Sequence, residues 1–246
     1  MTKTSEVRPG IADRGAGRDM RGVWRILAAL VITLGPLSIA VGRGVMPYWT
    51  TDDSAAMVTG VLEHQQTMDA LLWGGIIVSP ALLLGVLAIA HVARRGAPLL
   101  ATLGAAFGFL AWTMGSATAN MDYVVSRLGA NGFDQATIVR IGDAVQNSAF
   151  AATCGIIWLI GHIAGMVLTG VALGRAGIIN WWIAGALIVS QPIHFISAVI
   201  IPSRLLDVTL GWGLTTIASA CVSLAVLRMS NDQWDLGPAA RVRAMS

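Results

Sequence analysis

Between Phe150 and Ile201 the chain holds two long uncharged apolar segments, FAATCGIIWLIGHIAGMVLTGVAL and IINWWIAGALIVSQPIHFISAVII, joined by a short Gly- and Arg-containing turn. Arg175, in the turn, is the single formal charge of the stretch. Each segment exceeds the roughly 20 apolar residues that an α-helix needs to cross a bilayer. A backbone in hydrocarbon must satisfy its polar groups internally, so segments of this kind fold as helices packed on one another. The expected fold class is an all-α membrane protein.

The rest of the chain agrees. Of its 246 residues 55% are hydrophobic and only 12% charged, with a mean hydropathy of +0.70, which excludes an ordinary soluble domain. The 28 glycines suit close helix–helix approach in lipid. Cys154 and Cys221 both fall in apolar segments, so no disulfide framework is expected. The formal charge of +3 carries no basic patch of the kind that binds nucleic acid.

Six spans are expected, at about 24–41, 71–93, 98–119, 150–173, 178–201 and 208–227, within a membrane domain of residues 23–228. Residues 1–22 read as a disordered basic tail and 229–246 as a polar tail. Ser38-Ile39-Ala40 resembles a signal-peptidase site, but the basic region before it is long and the apolar run has no clean end. The first span is therefore read as retained. Asp53 and Asp134 are set to cap short helices that lead into the second and fourth spans.

Six spans put both termini on one side. Twelve Lys and Arg residues fall on the terminal side, and four (Arg43, Arg127, Arg140 and Arg204) on the other. The positive-inside rule then places both termini in the cytoplasm. Trp24, Trp181 and Trp182 at the inner face, with Trp49 and Tyr123 at the outer, suit interfacial aromatic belts. Fifteen arginines against one lysine fit a GC-rich bacterial genome, and the location expected is the bacterial inner membrane.

Shifting the chain by 81 residues superposes fourteen identities over residues 53–116, among them Asp53 on Asp134, Gly74 on Gly155, Arg94 on Arg175 and Gly104 on Gly185. Either composition alone produces this, or spans 2–3 and 4–5 form a parallel repeat. In the second case Gln65 falls on Gln146, and the polar triplets at the two helix entrances line one outward pocket on the pseudo-axis. In the first they cap helix starts in the headgroup region.

Few groups in the spans carry chemistry. His162 lies midway along the fourth span, with Gln191, Pro192 and His194 in the fifth, and intramembrane ionisable residues are functional candidates by default. Haem held between the two histidines is one reading. Against it, the span limits put His162 about 16 Å and His194 about 24 Å above the inner helix ends, a mismatch of about 8 Å. Neutral histidines bonded across helices to Ser, Thr or backbone are the plainer reading. Glu63, His64, Asp69 and Asp122 could form an outer metal or proton site with His194, but their spacing is not of the zinc type, solvated loop residues are the plainer reading, and no metal site is expected. His91 reads as an anchor at the inner surface. Thr209, Thr216, Ser219 and Ser223, with Thr215 alongside, make a polar stripe that reads as a helix seam. No Asp, Glu, Lys or Arg is expected deep in a span, which argues against an acidic proton or sodium relay. No phosphate loop or nucleophile motif points to catalysis.

At GIIWLIGHIAGMVLTGVALGRAGIINWWIAGALIV the chain resembles a bacterial six-transmembrane-helix family of unknown function, a DUF-type family with a Gly- and Leu-rich pattern closed by Arg-Ser-Gly and Ile-Pro. The matching residues are Gly165, Val167, Leu168, Gly170, Arg175, Gly177 and Gly185. Ala176 stands where the pattern has serine, and Asn180 where it has proline. The resemblance implies a fold and no activity. Three functional readings follow. The first is a bundle binding a lipid, a small apolar molecule or a membrane partner protein. The second is a transporter with an outward pocket lined by Gln65, Gln146, Asn147, Gln191 and His194. The third is a haem or metal protein using His162 and His194.

Overall fold

A computed structural model describes residues 19–49, 53–117 and 120–235. Of the tails expected at 1–22 and 229–246, residues 1–18 and 236–246 lie outside the described residues. Among the described residues ten helices follow one another. They are α1 (Arg21–Val45), α2 (Ser54–Glu63), α3 (Gln65–Ala93), α4 (Pro98–Ala117), α5 (Met121–Ala130), α6 (Gln135–Gln146), α7 (Ala149–Arg175), α8 (Trp181–Ile200), α9 (Arg204–Arg228) and α10 (Asn231–Asp235). Six of them, α1, α3, α4, α7, α8 and α9, are long and apolar enough to span a membrane.

Short polar side chains set the helix starts. The side chains of Asp53, Asn120, Asp134, Ser148 and Asn180 each accept a hydrogen bond from the backbone N–H three residues on, at 2.9–3.2 Å. Two of these are the caps expected at Asp53 and Asp134. The turn from α7 to α8 requires glycine at Gly177, whose φ is +67°. There the Ile178 N–H donates to the Leu173 carbonyl at 3.1 Å and closes the end of α7.

The six long helices form a ring in chain order, each packed on the next, with α9 closing on α1. The tightest crossing joins α4 to α7 through two pairs of glycines spaced four apart. A Cβ on Gly165 would lie 2.8 Å from the Gly108 nitrogen, and one on Gly161 would lie 2.8 Å from the Phe107 oxygen. Small residues of this spacing let helix backbones touch, so dispersion contacts between main chains hold this seam.

The two ends of the ring differ. At the end bearing Arg21 and Arg228, residues including Ile32, Val92, Leu173, Leu187, Val222 and Val226 make a dense core. The segment expected as tail partly closes this end. Trp234 on α10 stacks on His91 at a ring-centroid distance of 4.5 Å, and His91 Nε2 lies 2.8 Å from the Trp234 carbonyl. Arg21 pairs with Asp235 at 2.9 Å. At the distal end α2, α5 and α6 form a cap around Met57, Val58, Val61, Val125 and Ile138. The outer face of the ring is apolar, with Trp182 89%, Trp73 73% and Leu99 70% exposed. A patch of that extent on six helices is what a bilayer covers.

Two helices depart from α geometry where they meet. α8 contains Pro192 and continues as a π-helix over Ile196–Ile200, and α9 is π-helical over Asp207–Gly213. The polar stripe expected on the last span is altered by this second segment. A π turn adds residues per turn and rotates everything after it relative to an ideal helix. Thr209 accordingly lies exposed, while Thr215, Ser219 and Ser223 form the buried seam. Ser223 Oγ donates to the Ala29 carbonyl on α1 at 2.7 Å, and Gln191 Nε2 on α8 donates to Thr215 Oγ1 at 2.6 Å.

Candidate functional site

Polar groups of the interior lie on or beside the π-helical segments of α8 and α9, with Asp207 opening that of α9 and His194 two residues before that of α8. Asp207, in the second turn of α9, is fully buried and receives Arg43 Nε from α1 at 2.8 Å. His194 on α8 bonds to the other carboxylate oxygen through Nδ1. Asp207 lies near the start of its span rather than deep within it, and is buried all the same. The α9 helix begins at Arg204, four residues before the expected limit, and draws this carboxylate inside. Partners on two neighbouring helices make burial tolerable, since a buried charge stripped of its partner would cost several kcal/mol.

From His194 the cluster runs inward. The His162 and His194 rings lie 5.8 Å apart between centroids, and His162 is flanked by Trp112 and Trp158 at 5.1 Å and by Trp212 at 5.5 Å. The expected 8 Å mismatch in height does not exist. α7 runs to Arg175, two residues further than expected, and Asn180 delays the start of α8 by three residues to Trp181. Five residues at the helical rise account for about 7.5 Å. The plainer reading of the histidines changes as well. His194 bonds to a carboxylate, and His162 Nε2 has no hydrogen-bond partner although it is fully buried.

Arg43 continues the line toward the distal end. Its guanidinium lies 4.2 Å from the Trp49 ring centroid, with Arg204 at 5.7 Å from the same ring. Trp49 was expected in an outer aromatic belt. It instead folds against these guanidinium groups, with its indole nitrogen buried.

Apart from Asp207 and Arg204, these side chains line a cavity of about 400 Å³, within the range of small-molecule sites. Ile39, Leu159, Ile163, Phe195 and Val199 complete an almost wholly apolar lining. Gly155 on α7 and Val199 on α8 are both exposed and both line the cavity, so it reaches the side of the bundle between two adjacent helices. Three buried nitrogens of its wall, His162 Nε2, Trp49 Nε1 and Trp212 Nε1, have no hydrogen-bond partner among the described residues. Such groups are uncommon in folded proteins. Two further cavities, of about 530 and 560 Å³, border the same region at Ile39 and extend toward Asp122. Asp122 itself accepts a hydrogen bond from Tyr48 at 2.5 Å.

Of the candidate residues named from sequence, the structure joins His162 and His194 in this cavity. Gln191 is fully buried just beneath, on a void of about 30 Å³ that also touches His162 and Trp212, and its Oε1 has no partner. Gln65 and Asn147 are exposed at the distal end. Gln146 Nε2 approaches Met57 Sδ at 3.8 Å, and none of these three lines a cavity described above. Glu63, His64, Asp69 and Asp122 do not converge with His194. His64 bonds to the Gly60 carbonyl within its own turn, Asp69 pairs with Arg127 at 3.2 Å, and Asp122 holds Tyr48. Among the described residues no three His, Cys, Asp or Glu side chains gather as a metal cluster. Sequence reasoning missed Arg43, Asp207 and the four tryptophans Trp49, Trp112, Trp158 and Trp212. The signal available was the i, i+4 spacing of Trp158 and His162 on one face of α7.

No family model, curated protein or solved structure matches the chain.

Proposed function

We propose that this multi-pass membrane protein binds a small, largely apolar molecule that enters from the bilayer between α7 and α8. The observation that carries the reading is the cavity itself, with a largely apolar wall that reaches exposed residues on two adjacent helices. Entry from lipid is supported by the exposure of Gly155 and Val199 on two of the apolar spanning helices. Binding of this kind needs no catalysis.

The test is a cavity probe. The fluorophore 1-aminoanthracene, which brightens in apolar surroundings, should bind the purified protein saturably. Gly155 lines the cavity and has open space around its Cβ position. Gly155→Phe should fill the site without disturbing the fold and abolish the saturable signal. Equal binding by both proteins would refute the reading.

A second reading is favoured by the approach of the two imidazoles to 5.8 Å, namely a haem or metal ion held by His162 and His194. Asp207 would orient His194, as carboxylates do for ligating histidines. It predicts a Soret band or bound metal that is lost on His162→Ala. A colourless, metal-free preparation from the native membrane would dismiss it.

Further parts of the account are proposals of the same standing. The termini lie in the cytoplasm of a bacterium, supported by the twelve-to-four distribution of Lys and Arg. Helices α2–α4 and α6–α8 form a parallel repeat, supported by equivalent aspartate caps at Asp53 and Asp134. Kinship with the six-span family rests on the Gly165–Gly185 pattern.

A further inference from the structure

We infer that the two cavities meeting at Asp122 form a second ligand site, beyond the α7/α8 cavity, and that it takes a lipophilic organic cation. These spaces, of about 530 and 560 Å³, share Asp122, Ile39, Met46, Gly75 and Val78 as wall residues and so adjoin. Three observations select the ligand.

The first is an open carboxylate oxygen. The Tyr48 hydroxyl donates to Asp122 Oδ1 at 2.5 Å. Oδ2 accepts no hydrogen bond among the described residues, yet it keeps accessible surface, unlike the enclosed nitrogens of His162 and Trp212. Asp122 lines both cavities, so this oxygen can meet a ligand.

The second is charge balance. Asp122 stands in the first turn of α5, where the helix N-terminus favours an ionised carboxylate. Among the described residues it enters no ion pair. Arg43 reaches the first cavity from α1, but its charge is matched by Asp207, as that of Arg127 is by Asp69. Asp122 is left as the uncompensated charge of this wall. A carboxylate without a cation in largely apolar surroundings is costly, and a bound cation offsets that cost.

The third is the rest of the wall. Leu37, Val41, Leu71 and Leu72 continue the first cavity, and Leu82 and Trp112 the second. A small hydrated ion gains nothing from such a surface, whereas a cation carried on an apolar body buries that body against it. Leu37 is 43% and Val41 55% exposed, so the first cavity reaches the outer face of α1, from which an apolar body can enter.

The probe is radiolabelled tetraphenylphosphonium, a lipophilic monovalent cation, added to the full chain in detergent with excess unlabelled probe to define background. Binding to the wild type should be saturable. Asp122→Asn keeps an acceptor for Tyr48 and removes the charge, and should weaken binding at least roughly tenfold, the low end for a close ion pair. Its thermal unfolding, measured beside the wild type, should show a folded protein. Gly75 lines both cavities and has open space at its Cβ position, so Gly75→Phe should fill the site and leave background only. Triphenylphosphine oxide, a neutral body of similar shape, should not displace the label. No saturable binding to the wild type would overturn the assignment. So would equal affinity in a folded Asp122→Asn, saturable binding that survives Gly75→Phe, or displacement by the neutral compound. Neither Asp122 nor Gly75 lines the α7/α8 cavity, so any of these failures leaves that reading to its own test with 1-aminoanthracene.

Discussion

His162 and His194 sit at the same level, each thirteen residues from its helix end at the α7–α8 turn, and their rings meet at 5.8 Å. That level pairing couples five helices. His194 is tied to Asp207 on α9, Asp207 to Arg43 on α1, and His162 is enclosed by indoles from α4, α7 and α9. The cavity wall is thereby one connected piece.

Asp207 is the position on which this wall depends most. Asp207→Ala removes the partner of both Arg43 and His194 and should destabilise the protein by roughly 3–5 kcal/mol, the usual cost of orphaning a buried charge. Arg43→Met with Asp207→Leu removes both charges and should recover most of that loss. Thermal unfolding in detergent, read as a double-mutant cycle, measures both. Additive losses would mean that the pair is not coupled.

The α4–α7 seam predicts a contrast between two glycines on one helix. Gly165→Ala would drive a Cβ to 2.8 Å from the Gly108 nitrogen and should cost about 1–3 kcal/mol as overpacking. Gly155→Ala meets open space and should be neutral or slightly stabilising, since alanine is the better helix former. Equal effects in an unfolding assay would argue against the close crossing.

Tyr48 gives a pH signature outside the spanning helices. Burial, and then the neighbouring Asp122 carboxylate, push its phenol above the ordinary value of 10.0. The folded chain thus keeps a proton that the unfolded chain releases above pH 10, so this contribution is complete below pH 10 and is lost as pH rises beyond it. In an absorbance titration of phenolate, Tyr48 should ionise only with alkaline unfolding. Tyr48→Phe should remove that step from the transition. Free ionisation of Tyr48 in the folded protein would contradict the buried hydrogen bond.

The six spans, the aspartate caps and the two histidines could be read from the chain because each depends on local pattern, such as apolar length, cap chemistry or the rarity of His in lipid. What escaped depends on helix limits and on neighbours. The histidine heights were misjudged by the few residues that Asn180 and the extension of α7 move. Asp207 was assigned to a loop because its burial requires Arg43, which is 164 residues away. The seam of α9 was mis-phased because a π-helix leaves no periodic trace in sequence. Gln65, Gln146 and Asn147 had polarity to recommend them but no geometry, and they lie at the distal end away from the cavity.

The central claim is that the α7/α8 cavity holds a small molecule drawn from the membrane. Native mass spectrometry of protein gently extracted from its own membrane tests it most directly, comparing wild type with Gly155→Phe. The account predicts a bound species of a few hundred daltons on the wild-type protein that is absent from the variant. A wild-type protein that carries nothing, or the same species on both proteins, would contradict it.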